Sequence, residues 1–384
     1  PAKVQVGCML RITYEMLANH FLIRHGQVIK TVREPLSTRT VELSVDNDKV
    51  TSTSEESRCL TLSDAATLEP DPENVDEDSP PFDENEILKK ALRYNANVLL
   101  SFYTEKRSIE DEFLKKQKIH FFTLRILDEN DYTYADIDVK KLETILMIHS
   151  LPTKEMDVST LPFFLSRNVV GHIFHEYVHT LEMDILECDA DTVVGNSLFE
   201  NVEGLNVYED PALQTVGYSI VSDEGITARK TPLIEGNTLA GFLDSSLYPF
   251  KDRLCGYLGY GQSYFPVPRS TNLCVKGKCE HHDVDTYVEV TGLDLDLHSL
   301  DPLATDASIS GGEGLYVMDG APLCRVTFAL TWKGTIQELL SGISLSEMET
   351  ALPPLGGICV KHGILFRSAQ TAPPALWKNV QKLG

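Results

Sequence analysis

The sequence has little positive charge. Its 384 residues include 34 Lys and Arg against 57 Asp and Glu, which gives a formal net charge of -23. Proteins bind nucleic acid through clustered Lys and Arg that replace the counterions of the phosphates, and no basic stripe runs along this chain. We therefore expect no nucleic-acid partner.

Long apolar runs are also missing. No stretch approaches the roughly 18 consecutive apolar residues that a membrane-spanning helix needs. The first residues, PAKVQVGCMLRITYEML, lack the charged start and apolar centre of a signal peptide. The sequence thus predicts a cytoplasmic protein without a membrane partner.

Cysteine is sparse, with eight residues spread over the whole chain. A small secreted domain that depends on disulfides would have them at much higher density. This distribution favours reduced thiols and leaves room for a metal ligand among them.

Hydrophobic patterning predicts an α+β protein of two units. Residues 1–160 form an N-terminal α/β unit that contains an acidic, proline-rich loop over 51–85. Within it, 85–117 is predicted helical, and 119–150 is predicted to form a strand, a loop and a helix. Residues 161–384 form a largely antiparallel, β-rich unit whose first element is a helix over 161–186.

That helix contains the pentapeptide His175-Glu176-Tyr177-Val178-His179. Residues four apart lie on one face of a helix, so both imidazoles can bind one zinc ion. Such a metal activates a water molecule and polarises a peptide carbonyl, while Glu176 serves as general base. The motif predicts a zinc-dependent peptidase.

A catalytic zinc ion usually has a third protein ligand, and spacing alone leaves that ligand open. Glu200 and Glu203 lie where a thermolysin-like third carboxylate would fall, and His172 lies one turn before His175. The other acidic candidates follow the motif closely: Asp184, Glu187, Asp189 and Asp191.

A second group of possible ligands occurs in one short stretch. It comprises Cys274, Cys279, His281 and His282, in the pattern C-x4-C-x-H-H. Zinc modules generally use tighter, paired spacings, so reduced thiols and loop histidines are the simpler interpretation and a second zinc site is the alternative.

Several separated phrases occur in a characteristic order. They are HEYVHTLEMD (175–184), NVYEDP (206–211), SDEGITARKT (222–231), LIEGNTL (233–239), PVPRSTN (266–272) and GICVKHG (357–363). Together they resemble the TldD/PmbA family of metallopeptidases, in which the Asp-Glu-Gly turn and the Pro-x-Pro-Arg-x-Thr-Asn phrase are the most distinctive parts.

The resemblance implies a third ligand, because the family's C-terminal cysteine corresponds to Cys359. It implies zinc on His175, His179 and Cys359, with Glu176 as general base, in a metal-binding TldD-type subunit. It further implies a dimer with a TldE/PmbA-like partner or a second copy. The implied substrates are unfolded peptides, including leader or precursor segments of ribosomally synthesised modified peptides.

One departure from the family keeps two alternatives open. Family members usually read H-E-x-x-x-H, whereas this chain has one residue fewer between Glu176 and His179. The first alternative is a scaffolding subunit of TldE/PmbA type that binds no metal. The second is an unrelated thermolysin-like peptidase that uses Glu200 or Glu203.

Overall fold

The fold is taken from a computed structural model of the chain. The residues it describes are 9–46, 49–58, 83–94, 97–110, 114–127, 133–186, 189–198, 204–219, 221–224, 227–245, 250, 256–257, 266–361 and 364–378.

The N-terminal part is built from long strands with two helices against them. Its elements are β1 (Met9–Arg24), β2 (Gln27–Asp46), β3 (Lys49–Arg58), α1 (Glu84–Ala91), β4 (Val98–Glu110), β5 (Leu114–Ile126), β6 (Thr133–Asp136) and α2 (Lys140–His149).

The rest of the chain starts with a short strand and the longest helix of the described residues. Its elements are β7 (Phe163–Leu165), α3 (Arg167–His179), α4 (Ala190–Val193), β8 (Asn206–Glu209), β9 (Thr231–Glu235), β10 (Thr238–Leu239), β11 (Gly256–Tyr257), β12 (Val267–Pro268), β13 (Asn272–Lys276), β14 (Thr286–Leu297), β15 (Asp306–Met318), β16 (Ala321–Thr335), α5 (Ile336–Ser341), β17 (Ile343–Leu345), β18 (Gly356–Lys361), β19 (Ile364–Thr371) and β20 (Ala375–Trp377).

Two large sheets organise these strands. In the described part of the chain, twelve strands form one sheet in the order β10-β9-β8-β13-β19-β18-β6-β5-β4-β1-β2-β3. Six strands form another in the order β16-β15-β14-β7-β20-β17. Most pairs are antiparallel, while β13 with β19 and β14 with β7 are parallel. Strands from both sides of residue 160 thus share one sheet.

The main hydrophobic core surrounds α3. Its buried face, which includes Val170, Ile173, Phe174 and Tyr177, packs among apolar side chains of both sheets. The α3 helix contacts β13, β14 and β19. Burial of these side chains fixes the rotation of the helix, and with it the direction in which the remaining face points.

A second core lies under α1 and α2. Leu100 and Phe102 of β4 pack there with Leu142 and Ile145 of α2. Residues two apart on a strand share a face, so the apolar alternation of β4 turns one face of the large sheet toward these helices.

The predicted α+β class and the largely antiparallel C-terminal part are confirmed. The strand and the helix predicted over 119–150 agree with β5 and α2, whereas part of the segment predicted as a loop forms β6, which pairs with β5. The helix predicted over 85–117 is wrong beyond α1, because Val98–Glu110 and Leu114–Ile126 pair with each other as a hairpin.

The predicted ends of two other segments also differ from the structure. The helix expected over 161–186 is limited to Arg167–His179, since Phe163–Leu165 pairs with β14 and β20. Residues 51–58 of the predicted loop belong to β3, and 59–82 lie outside the described residues. The division of the chain into two units at residue 160 stays a prediction.

None of the helices in the described ranges combines the length and the apolar character needed to cross a bilayer.

Candidate metal centre

The α3 helix begins at a clear N-terminal cap. The Ser166 side chain accepts a hydrogen bond from the Val169 amide at 3.3 Å, which satisfies one of the free amides of the first turn. At the other end, the Tyr177 hydroxyl donates to the Pro302 carbonyl at 2.7 Å. The first contact fixes the start of the helix, and the second holds its C-terminal end, where the two histidines lie.

His175 and His179 lie side by side on this turn. Their ring centroids are 4.7 Å apart and the rings are nearly perpendicular, at 76°. His175 is buried, with 4% of its surface exposed, and its Nδ1 atom has no hydrogen-bond partner among the described residues. A buried nitrogen without a partner costs free energy unless something else binds it.

Burial, followed by the charges of His179 and Arg269, holds the pKa of His175 well below its usual value of 6.5. The imidazole of His175 is therefore neutral near pH 7 and keeps a lone pair on one ring nitrogen. A neutral imidazole is the form that binds a metal ion.

Cys359 comes to the same point from a distant part of the chain. It lies on β18, which pairs with β19 as an antiparallel hairpin, and its Sγ is 3.4 Å from His179 Nε2. One donor atom from each of His175, His179 and Cys359 lies within 4.8 Å of the other two.

The donor set fits a zinc ion. Tetrahedral zinc with N and S ligands at about 2.0 and 2.3 Å has ligand atoms roughly 3.3–3.6 Å apart, close to the sulfur–nitrogen distance found here. Two imidazoles and one thiolate also leave one of four positions open, as in catalytic zinc sites. The Nδ1 atom of His175, which has no hydrogen-bond partner among the described residues, fits the same interpretation, because a metal ion would satisfy a buried ring nitrogen of this residue.

A buried carboxylate orients His179. Glu182 is fully buried, and its Oε1 is 3.1 Å from His179 Nδ1. A proton on Nδ1 that is donated to this carboxylate leaves Nε2 free to face Cys359, an arrangement common around zinc. Burial alone lowers the pKa of His179, but the Glu182 carboxylate and the hydrogen bond with Cys359 raise it to about 10. This value favours the protonated ring at neutral pH, so a metal ion that binds Nε2 displaces a proton from it.

Arg269 links the carboxylate of Glu182 with the sulfur of Cys359. It is 1% exposed, its Nη1 donates to both oxygens of Glu182 at 2.9 Å, and its Nη2 donates to Cys359 Sγ at 2.7 Å. The guanidinium also lies 4.6 Å from the centre of the Phe366 ring. Its positive charge offsets the Glu182 carboxylate, and its second hydrogen bond helps to fix the position of the sulfur.

The segment after Arg269 is held by another buried carboxylate. Glu209 accepts hydrogen bonds from the Ser270 hydroxyl, from the amide and hydroxyl of Thr271, and from the Asn272 amide, all at 2.6–2.7 Å. Burial raises the pKa of Glu209, while these hydrogen bonds counter that increase. Glu209 thereby fixes the position from which Arg269 reaches the sulfur.

Sequence reasoning did not assign a role to Glu182, Arg269 or Glu209. All three occur in the phrases that carry the family resemblance, and that was the signal that could have identified them. A single Arg or Glu is otherwise expected at the surface.

Glu176 follows His175 on α3 and remains accessible. Its side chain is 29% exposed, and its Oε1 is 3.7 Å from Nδ1 of His172, which is 49% exposed. A carboxylate beside the histidine pair and open to solvent can exchange protons with a water molecule at the site.

Those of the other predicted ligands that the structure describes do not join this group. Of the metal-binding side chains in the described ranges, only His175, His179 and Cys359 form a cluster of three or more. Asp184, Asp189 and Asp191 lie outside it, as do Cys274, Cys279, His281 and His282. Glu187, Glu200 and Glu203 lie outside the described residues.

The chain is similar to known metallopeptidases. A family model described as the PmbA/TldA metallopeptidase C-terminal domain matches residues 159–381. A metalloprotease of Archaeoglobus fulgidus is 25% identical over 276 residues, which cover 69% of this chain and 61% of that protein. The chain thus spans about three fifths of that relative's length.

A solved structure has the same fold. TldE from Thermococcus kodakarensis superposes with a TM-score of 0.66 at 13% sequence identity, over 98% of this chain and 97% of that one. At this identity the likeness speaks for the fold alone. The family model, in contrast, covers more than half of the chain and includes every residue of the metal centre, and so the protein belongs to the PmbA/TldD family of metallopeptidases.

Proposed function

We propose that this protein is a zinc-dependent peptidase of TldD type, with His175, His179 and Cys359 as ligands of the metal ion. The observation that carries the proposal is the convergence of three donor atoms within 4.8 Å of one another. They come from α3 and β18, and the Nδ1 atom of one donor residue, His175, is buried without a partner. Family membership supports a metallopeptidase activity.

When bound, zinc supplies Lewis acidity that makes a water molecule more acidic and polarises the peptide carbonyl. The residues around it supply the rest. Glu182 keeps the Nδ1 proton of His179, so that the imidazole presents Nε2. Arg269 donates to the sulfur of Cys359 and compensates its negative charge.

Glu176 is the general base in this proposal. Its carboxylate accepts a proton from the attacking water molecule and delivers it to the amine of the leaving peptide. Its partial exposure and its place beside His175 allow water and substrate to reach it.

Unfolded peptides are the proposed substrates, among them leader segments of ribosomally synthesised modified peptides, and the cytoplasm is the proposed location. We further propose that the active form is a dimer with a TldE/PmbA-like subunit or with a second copy. The family resemblance supports both the substrate class and the dimer. Recognition of an extended peptide through its main chain would explain tolerance of many sequences.

The substitution Glu176→Gln tests the proposal. It should leave zinc bound and reduce cleavage of an unfolded peptide by about three orders of magnitude, because the general base is lost. Cleavage is followed by mass spectrometry of an unfolded test peptide, with the chain alone and with candidate partner subunits. Glu349→Gln, at an exposed position, serves as the matched control and should cleave like the unmodified protein.

Two outcomes would contradict the proposal. Full activity of Glu176→Gln would remove this residue from the reaction. A protein that binds no zinc and cleaves no peptide with any partner would instead support the scaffolding alternative.

A further inference from the structure

The strand that carries Cys359 is held to α3 at a second point, away from the metal centre. Asn168 lies in the first turn of α3, two turns before His175. Its Nδ2 donates to the Pro353 carbonyl at 3.0 Å, and its Oδ1 accepts from the Leu355 amide at 2.8 Å. Leu355 immediately precedes β18. A side chain of the histidine helix thus binds the backbone that enters the cysteine strand.

Other elements hold the same segment from different sides. Lys141 of α2 donates to the Pro354 carbonyl at 2.8 Å. Glu289 of β14 is fully buried and accepts hydrogen bonds from two backbone amides of the segment, at 2.7 and 3.0 Å. Neither α2 nor β14 carries a ligand of the proposed zinc site. Of these three side chains, Asn168 is therefore the one that relates the segment to the histidines.

The helix and the hairpin of β18 and β19 lie against each other between this contact and the metal centre. A Cβ atom at Gly171, one turn before His175, would lie only 2.7 Å from the Cβ of Gln370 on β19. At the far end, the Cys359 sulfur is 3.4 Å from His179 Nε2. Both α3 and β18 therefore run from the Asn168 contact toward the metal centre in the same direction.

The lengths of the two paths match. A helix rises about 1.5 Å per residue, so His175 and His179 lie roughly 10.5 and 16.5 Å along α3 from Asn168. A strand rises about 3.3 Å per residue, which puts Cys359 roughly 13 Å along the chain from Leu355. Measured from their common contact, the cysteine falls between the two histidines.

This match depends on the register of β18 against α3. Successive side chains of a strand point to opposite faces, so a slip by one residue would turn the sulfur away from the imidazoles. It would present Ile358 or Val360 instead, and neither side chain can bind a metal ion. A slip by two residues would move the sulfur by roughly 6.6 Å, which is out of reach of a shared ion.

We propose that Asn168 is a positioning residue of the metal centre, which sets the register of β18 against α3 and so brings Cys359 to the two imidazoles. The inference rests on the proposed zinc site and adds a residue that touches neither metal nor substrate. Both imidazoles belong to the same helix as Asn168 and keep their mutual geometry without it. Loss of Asn168 should therefore affect one ligand, the sulfur.

The substitution Asn168→Ala in the full-length protein tests the inference. Zinc affinity, measured by competition with a chelator, should fall about 10-fold, because the sulfur is held less well. X-ray absorption of the zinc-loaded variant should show fewer than one sulfur per zinc ion at about 2.3 Å. A residue with a purely structural role would lower stability and leave one sulfur on every bound ion.

Two further variants sharpen the test. Lys141→Met removes a contact of the same segment together with an ion pair to Asp136, and should keep the sulfur and the zinc affinity of the unmodified protein. Asn168→Asp keeps the acceptor for the Leu355 amide and loses the donor to Pro353. A negative charge in the first turn favours the helix, so this variant should fold and lose only about 3-fold in affinity.

A crystal structure of metal-free Asn168→Ala measures the register without zinc or turnover. We expect the distance from Cys359 Sγ to His179 Nε2 to exceed the present 3.4 Å by about 1 Å or more. An unchanged distance would overturn the inference. So would one sulfur per zinc ion with unchanged affinity, or an equal loss of sulfur in Lys141→Met.

Failure of this inference and failure of the proposed function give different results. If the distance increases in Asn168→Ala but the unmodified protein binds no zinc, the proposed function fails and the positioning role of Asn168 stands. If the unmodified protein holds zinc through Cys359 and Asn168→Ala does so equally well, the inference alone fails.

Discussion

This chain has two groups of Cys and His residues, and only one of them forms a metal-binding cluster within the described residues. His175, His179 and Cys359 are separated by up to 184 residues in sequence and come together in space. The second group is Cys274, Cys279, His281 and His282, which are neighbours in sequence and do not form a metal-binding cluster within the described residues. Their comparison shows that topology, rather than spacing, assembles this site.

The members of the second group each have different surroundings. Cys274 is buried in β13, between β8 and β19. Cys279 Sγ donates to the Gly277 carbonyl at 3.8 Å, and the His282 ring packs against Phe164. His281 is exposed. No common point is left for a metal ion among these four side chains.

In the first group, buried charged side chains contact the metal-binding residues and hold them in place. Glu182 orients one imidazole, and Arg269 contacts both the carboxylate and the sulfur. Such outer contacts fix the direction of the His179 ring and of the Cys359 sulfur. The comparison predicts that zinc binding depends on the first group alone.

The largest expected effect comes from removing one cysteine from each group. Cys359→Ala should lower the zinc content from about one ion per chain to near zero, whereas Cys279→Ala should leave it unchanged. Elemental analysis of protein purified without added metal measures both. Zinc retained in Cys359→Ala would mean that another residue, such as Glu200 or Glu203, is the third ligand. Zinc lost in Cys279→Ala would contradict the comparison.

A smaller effect is expected when the outer contacts change. Glu182→Gln should weaken zinc affinity by about 10- to 100-fold, because His179 loses the carboxylate that fixes its tautomer. Competition with a chelator of known affinity measures this, below the unfolding temperature of each variant.

The control for that experiment lies beside the second group. Glu280 is exposed and pairs with Lys378 at 3.4 Å, so Glu280→Gln should leave zinc affinity unchanged. An equal loss of affinity in both variants would mean that Glu182 acts only through overall stability or charge.

The smallest expected effect concerns Cys274, whose thiol should react very slowly with an alkylating reagent. Burial, with the nearby charges of Glu209 and Asp210, raises the pKa of this thiol to about 11. At pH 8 only about one molecule in 1,000 carries the thiolate, which increases about tenfold per pH unit up to that pKa. Iodoacetamide at pH 8 should leave Cys274 unmodified in the folded protein, as judged by peptide mass mapping. Rapid alkylation of Cys274 would show an accessible thiolate and would again favour the predicted second zinc site.

The sequence predicted the centre of α3 well and its ends poorly. Val170, Phe174 and Tyr177 recur at helical spacing and are buried as expected. The start was misplaced because Phe163–Leu165 pairs with strands from far along the chain, which no local pattern reveals. For the same reason, the short stripe after residue 85 suggested helix where β4 and β5 form a hairpin.

Some residues of the site could be predicted from a local sequence pattern, and others could not. The histidine pair and Glu176 follow from helical geometry, which is local. Cys359 is 180 residues from His179, and only the resemblance to a family pointed to it. Arg269 was not foreseen because burial of a charged side chain depends on partners such as Glu182, which tertiary structure alone brings together.

The central claim is that one sulfur and two imidazoles hold zinc in this protein. X-ray absorption at the zinc edge of the unmodified protein, purified without added metal, tests it most directly. The account predicts one sulfur at about 2.3 Å and nitrogen at about 2.0 Å from zinc. Zinc that is coordinated by nitrogen and oxygen without sulfur, or a protein without zinc, would contradict it.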